Sequence, residues 1–181
     1  MCGGCCSLLL LLIVSVFRCV LELHAIASKQ AEGGGRFAVA MTAQENDRFL
    51  RGIQTSDYFE QYYMMLGRVD AEASNCSRAT DRESIHESIR RSVGFAKLNR
   101  TVFGVMEGWM EEQLRDQVAA STANGNDHEA MVWNSVSAKL FRLQGRHNEE
   151  VISLEAELRM RQRTLAEDNP YICATRCWLF H

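Results

Sequence analysis

Residues 127–170 read DHEAMVWNSVSAKLFRLQGRHNEEVISLEAELRMRQRTLAEDNP, and this stretch decides the fold. Val132, Val136, Leu140 and Leu143 fall at steps of four, four and three, which places apolar groups along one side of an α-helix. Gly145 then closes that helix, because glycine accepts the left-handed backbone that a helix end often requires. Val151, Leu154, Leu158 and Leu165 form the apolar stripe of a second helix, expected from about His147 to Ala166. Asp168-Asn169-Pro170 stops it, with proline just past the end. Two helices joined by so short a turn are expected to pack antiparallel.

Moving toward the N-terminus, Ser121–Asp127 is rich in Ser, Thr, Asn and Gly and reads as a loop. Val105–Ala120 reads as a helix with Met106, Trp109, Met110 and Leu114 on its apolar side. Its acidic residues Glu107, Glu111, Glu112 and Asp116 have no histidine or cysteine fixed opposite them, and a solvated face accounts for them. Thr80-Asp81-Arg82-Glu83 fits a capping box, in which the threonine hydroxyl and the glutamate three residues on satisfy the first free N–H groups. Ile85, Ile89 and Val93 follow at four-residue steps; Gly94 weakens the end of that helix, and His86, off the apolar face, is expected in solvent. Glu72–Thr80 is polar and reads as a loop. Ala43–Leu66 reads as one helix, with Phe49, Ile53, Phe59, Tyr62, Tyr63 and Leu66 as core residues.

The first 42 residues differ in character. Leu8–Phe17 is an apolar run, too short for a membrane span of about 20 residues. Three readings stay open. In the first, residues 1–27 are a signal peptide, cut after Ala27 at the small-x-small site Ala25-Ile26-Ala27, although no Lys or Arg precedes the run. In the second, residues 8–27 anchor the chain in a membrane, with Arg18 and Glu22 each costing about 2.5–3.5 kcal/mol near the bilayer centre; Lys29 and Arg36 then favour a cytosolic domain. In the third, residues 1–40 are an untranslated lead and Met41 is the start. Residues 28–42, with Gly33-Gly34-Gly35, read as a linker. Location is correspondingly open: cytoplasmic, anchored with a cytosolic domain, or secretory. On the secretory route the sequons Asn75-Cys76-Ser77 and Asn99-Arg100-Thr101 are acceptors for glycan.

Composition excludes several classes. A net charge of −3 gives no general basic footprint for nucleic acid. One proline in 181 residues favours long helices over a strand-and-turn fold. Seven cysteines at irregular spacing do not make a disulfide framework. Cys2, Cys5 and Cys6 lack a second ligand pair for zinc, and acylation beside the apolar run fits them better. His24, His86, His128, His147 and His181 are scattered outside any triad or metal-binding spacing, and Gly33-Gly34-Gly35 lacks the Lys-Ser/Thr of a phosphate loop. No catalysis, cofactor or metal is expected.

Ala138-Lys139-Leu140-Phe141-Arg142-Leu143-Gln144-Gly145-Arg146-His147-Asn148-Glu149 resembles the centre of a tetratricopeptide repeat of the kinesin-light-chain class. There an alanine, a leucine and an aromatic precede a Gln-Gly-basic-aromatic turn. Leu158–Pro170 resembles the close of the same unit, and Asn126-Asp127-His128 the close of a preceding one. Asp127 and Asp168, like Gly104 and Gly145, are 41 residues apart, near this class's repeat length. The resemblance covers about 127–172, with a fainter echo back to residue 96. It departs from the family at Glu150 and Glu157, where small alanines are usual, and at Ser135 and Val136, where asparagines are usual.

The resemblance implies antiparallel helix pairs; with the apolar N-terminal segment read as a helix and the helical region over 43–126, the expected fold is all-α. The resemblance further implies a concave groove into which Val132, Ser135, Lys139 and Arg142 point, with Lys139 and Arg142 suited to an acidic peptide. The expected function is a protein-interaction scaffold whose partner is a protein or peptide. The alternative is a membrane-anchored or secreted helical protein with a coincidental match. Arrays need about three units, so 173–181 reads as the truncated start of a further helix. Trp178-Leu179-Phe180 leaves apolar surface that self-association would cover.

Overall fold

The computed structural model describes residue 39 and residues 41–73, 79–166 and 169–179, without the side chains at 56, 57 and 79–81. The signal, anchor and acylation expectations, nearly all of the linker, and the sequon at Asn75 lie outside the described residues. Among the described residues all regular structure is helical, as the sequence leads one to expect: α1 Ala43–Ile53, α2 Ser56–Leu66, α3 Ala79–Arg91, α4 Phe95–Ala123, α5 Asp127–Leu143, α6 His147–Thr164 and α7 Pro170–Leu179. The chain divides into two compact units, one ending at Trp109 and the other beginning at Met110.

In the first unit the single helix expected over 43–66 is two. The N-terminal one, α1, is opened by a capping box, Thr42-Ala43-Gln44-Glu45: the Thr42 hydroxyl accepts the Glu45 N–H and the Glu45 carboxylate accepts the Thr42 N–H. The break falls at Gln54-Thr55. The Thr55 backbone turns extended, and its N–H and hydroxyl both donate to the Gly52 carbonyl, at 3.0 and 2.8 Å. Gly52 is what allows so sharp a fold-back, since a Cβ there would come within 2.8 Å of the Tyr58 ring. Periodicity alone does not register a break that keeps both apolar faces in phase.

Phe49, Ile53, Phe59, Tyr62 and Leu66 are buried as expected, and Phe49 packs against the rings of Tyr62 and Trp109 at 5.5 and 5.3 Å between centroids. Burial raises the Tyr62 and Tyr63 phenols well above their ordinary range, and for Tyr63 the hydrogen bond to Glu107 adds to the effect. A second cluster joins Val69, Ala71, Ile89, Leu98 and Val102, with Ile85, Val93, Phe95 and Val105 against it. The helix α3 begins at Ala79, so Thr80 lies inside it and not at its cap. His86 is not in solvent. It is buried, with its ring edge-on to Phe95 at 5.0 Å. Gly94, at φ +74, ends that helix, and α4 starts at once, ten residues earlier than the apolar pattern suggests. Asn99 sits inside α4, half-buried, its Oδ1 accepting the Ala71 N–H at 2.9 Å.

In the second unit α4 runs on to Ala123, so Ser121 is buried helix and not loop. Asn126 caps α5 by accepting the Glu129 N–H. Gly145 takes φ +70 and Arg146 N–H reaches back to the Phe141 carbonyl at 2.8 Å, the helix stop expected there. Asp127 pairs with Arg163 at 3.2 Å and Arg142 with Glu150 at 2.5 Å. The start of α5 is thereby tied to the end of α6, and its end to the start of α6. Pro170 is the first residue of α7, where its missing N–H costs nothing, and Asn169 Oδ1 accepts the Tyr171 N–H.

The buried face of α6 is not the leucine–valine stripe. Glu150, Ser153, Leu154 and Glu157 are buried, whereas Val151 is 39% exposed and Leu165 lies past the helix end. The same correction applies to α4. Glu107 accepts the Tyr63 hydroxyl proton, and Glu111 pairs with Arg115 and, at 2.7 Å, with Arg146. A carboxylate with a fixed donor can be buried, and apolar spacing carries no information about such donors.

Candidate functional site

The second unit contains an open cleft of about 230 Å³. Each of its three helices supplies a row spaced by three or four residues, so that the row lies on one side. From α5 come Ser135, Ala138, Lys139 and Arg142; from α6, Leu154, Glu157 and Arg161; from α7, Tyr171, Ala174, Thr175 and Trp178. Three of the four residues expected in a groove therefore meet there. Val132, one turn earlier, is half-buried and does not line the cleft.

The cleft holds three cationic side chains and one carboxylate. Arg142 donates from Nε to Glu150 at 2.5 Å, and its guanidinium lies 4.2 Å from the centre of the Trp178 ring. Arg161 donates from Nε and Nη2 to Glu157 at 2.8 and 2.5 Å, and faces the Tyr171 ring at 5.3 Å. The Thr175 hydroxyl completes the Glu157 shell at 3.5 Å. Each guanidinium is thus fixed in plane by a carboxylate at its edge and a ring on its face. Such donors are preorganised, and they lose less freedom on meeting an anion than a free arginine does.

Arg161, Glu157, Tyr171 and Trp178 were not assigned to the groove from sequence. Their spacing carries the signal: 154, 157 and 161 repeat the 135, 138 and 142 pattern one helix later. It stays hidden when only apolar residues are counted. Glu150 and Glu157, the departures from the repeat's small residues, turn out to be the groups that hold the two arginines.

Among the described residues, no cluster of three or more His, Cys, Asp or Glu side chains is placed to hold a metal. Cys173 and Cys177 are exposed free thiols. No described helix is long and apolar enough to cross a membrane. Around the Gly145 turn, Arg146 joins Glu111 and Glu149 and covers the Phe141 ring at 4.7 Å, which is a structural clasp. No family model, curated protein or solved structure matches the chain.

Proposed function

We propose that the second unit is a protein-interaction module of tetratricopeptide type, in which α5 and α6 form one antiparallel pair and the cleft receives an acidic segment of a partner protein, without catalysis. The observation that carries this reading is the convergence of Lys139, Arg142 and Arg161 on one open cleft between helices. An anion entering the cleft gains charge-assisted hydrogen bonds to fixed donors. The two ion pairs at opposite ends of α5 and α6 support the antiparallel arrangement.

The test is a peptide array spanning acidic, neutral and basic 15-residue segments, probed with the full chain and with Lys139→Glu. Lys139 is half-buried and lines the cleft in one row with Ser135 and Arg142. The reading expects a preference for acidic peptides that falls at least tenfold in the variant. Equal binding to all three peptide classes would remove the cleft as a recognition site.

A further inference from the structure

We propose that α7 is an intramolecular competitor for this cleft, a latch that an acidic ligand must displace; the inference rests on the reading of the cleft just given. Three observations point to it. First, both arginines that would meet the ligand already carry a ring from α7, Trp178 over Arg142 and Tyr171 over Arg161, two helical turns apart on the same side of α7. A cation facing a ring is attracted only modestly, so the two contacts hold α7 over the cleft without fixing it there.

Second, with α7 in place the cleft measures about 230 Å³, below the roughly 300–1,000 Å³ of sites that enclose a small-molecule ligand. It admits one or two side chains but not an extended segment lying along α5. Movement of α7 would lengthen the cleft over the row Ser135, Lys139 and Arg142 without disturbing the pairs Arg142–Glu150 and Arg161–Glu157, which belong to α5 and α6.

Third, α7 is lightly held. Its buried side chains are Ile172 and Thr175, and the Thr175–Glu157 hydrogen bond is long, at 3.5 Å. Tyr171 and Trp178 remain 63% and 56% exposed although they cover the arginines. An element with little buried apolar surface opens at low free-energy cost, as a displaceable latch requires.

The experiment measures binding of a fluorescein-labelled (Glu-Ala)6 peptide to the full chain, to Trp178→Phe and to the Tyr171→Ala/Trp178→Ala double variant. Amide exchange across 171–179 is followed in the wild type with and without peptide. The latch expects binding about three- to thirtyfold tighter in the double variant, the gain of removing one or two such contacts. Trp178→Phe should fall between, and exchange in α7 should quicken when peptide binds. Unchanged or weaker binding in the double variant, with wild-type binding intact, overturns the latch alone and makes the rings a wall of the ligand site. Slower α7 exchange on binding overturns it equally. If neither wild type nor variant binds the peptide, the recognition of acidic segments fails and the latch fails with it.

Discussion

In the unit that ends at Trp109, Phe49, Ile53, Phe59, Tyr62 and Leu66 are buried on α1 and α2, and the rings of Phe49, Tyr62 and Trp109 meet edge to face or tilted. In the unit that begins at Met110, the face of α6 turned inward holds Glu150, Ser153, Leu154 and Glu157, a single aliphatic side chain among four. The face shared by α1 and α2 draws on area removed from water, about 1.5–3 kcal/mol for each large side chain. A buried ion pair roughly breaks even against desolvation, and its removal hurts mainly by stranding the partner. What α6 gains is register: Arg142 finds Glu150, and Arg161 is held by Glu157 within the same helix, so the cleft donors are fixed by the groups that make the helix polar.

The largest effect that could break this contrast is on the α1–α2 face. Phe49→Ala should cost about 3–5 kcal/mol, read as a shift in urea midpoint, because the 0% exposed ring leaves Tyr62 and Trp109 facing a void. A loss below about 1 kcal/mol would mean that the aromatic cluster does not carry the unit. Next comes Glu157→Ala, expected to cost about 3 kcal/mol by stranding the Arg161 guanidinium, whose side chain is only 15% exposed. The double replacement Glu157→Met/Arg161→Met should recover most of that loss, since both desolvation costs vanish together. If the double variant is as unstable as the single one, the pair is a net source of stability and the contrast is wrong.

The helix content was legible in the sequence wherever apolar residues alone decide it: the ends of α5 and the start of α6, the glycine stop at Gly145, the buried stripe of α1 and α2. The pattern misleads where a polar group is covered or paired by a residue distant in sequence. His86 was placed in solvent because its offset from Ile85 and Ile89 says nothing of the Phe95 ring that covers it from α4. Glu107 and Glu111 read as a solvated face because their partners, Tyr63 and Arg146, lie 44 and 35 residues away. Of the four residues that the resemblance directs to a groove, Ser135, Lys139 and Arg142 line the cleft and Val132 does not. Its aromatic half was missed because α7 reaches it from beyond the helix pair. The break at Gln54-Thr55 had local cues in Gly52 and Thr55, but unbroken periodicity outweighed them.

Two glycines sharpen the comparison at about 1 kcal/mol, with opposite signs. Gly145→Ala should cost about 1–2 kcal/mol, because φ +70 is unfavourable for any residue with a Cβ. Gly104 lies on the exposed face of α4, at ordinary helical backbone and with nothing within 4 Å of an added Cβ. Gly104→Ala should therefore stabilise by about 1 kcal/mol through helix propensity. Thermal unfolding of the two variants decides both, and a loss of stability in Gly104→Ala would show that this bare strip of helix has a contact that alanine disturbs.

The smallest effect is in acid, and one carboxylate in each unit reports it. Glu45 is held below the ordinary glutamate value by the Thr42 backbone N–H first and the Thr42 hydroxyl second; Glu149 is held down first by its hydrogen bond to Arg146. For both, the folded state binds fewer protons than the unfolded chain near the unperturbed value of about 4.3. Their contribution to stability is present above that value and is lost as pH falls through the lower folded values. Urea midpoints should decline between pH 5 and pH 3. Glu45→Gln should flatten the decline only for amides of α1, and Glu149→Gln only for those at the α5–α6 turn, in a hydrogen-exchange series over the same range. Both residues are only half-buried, so each change should be a shallow slope and not a transition.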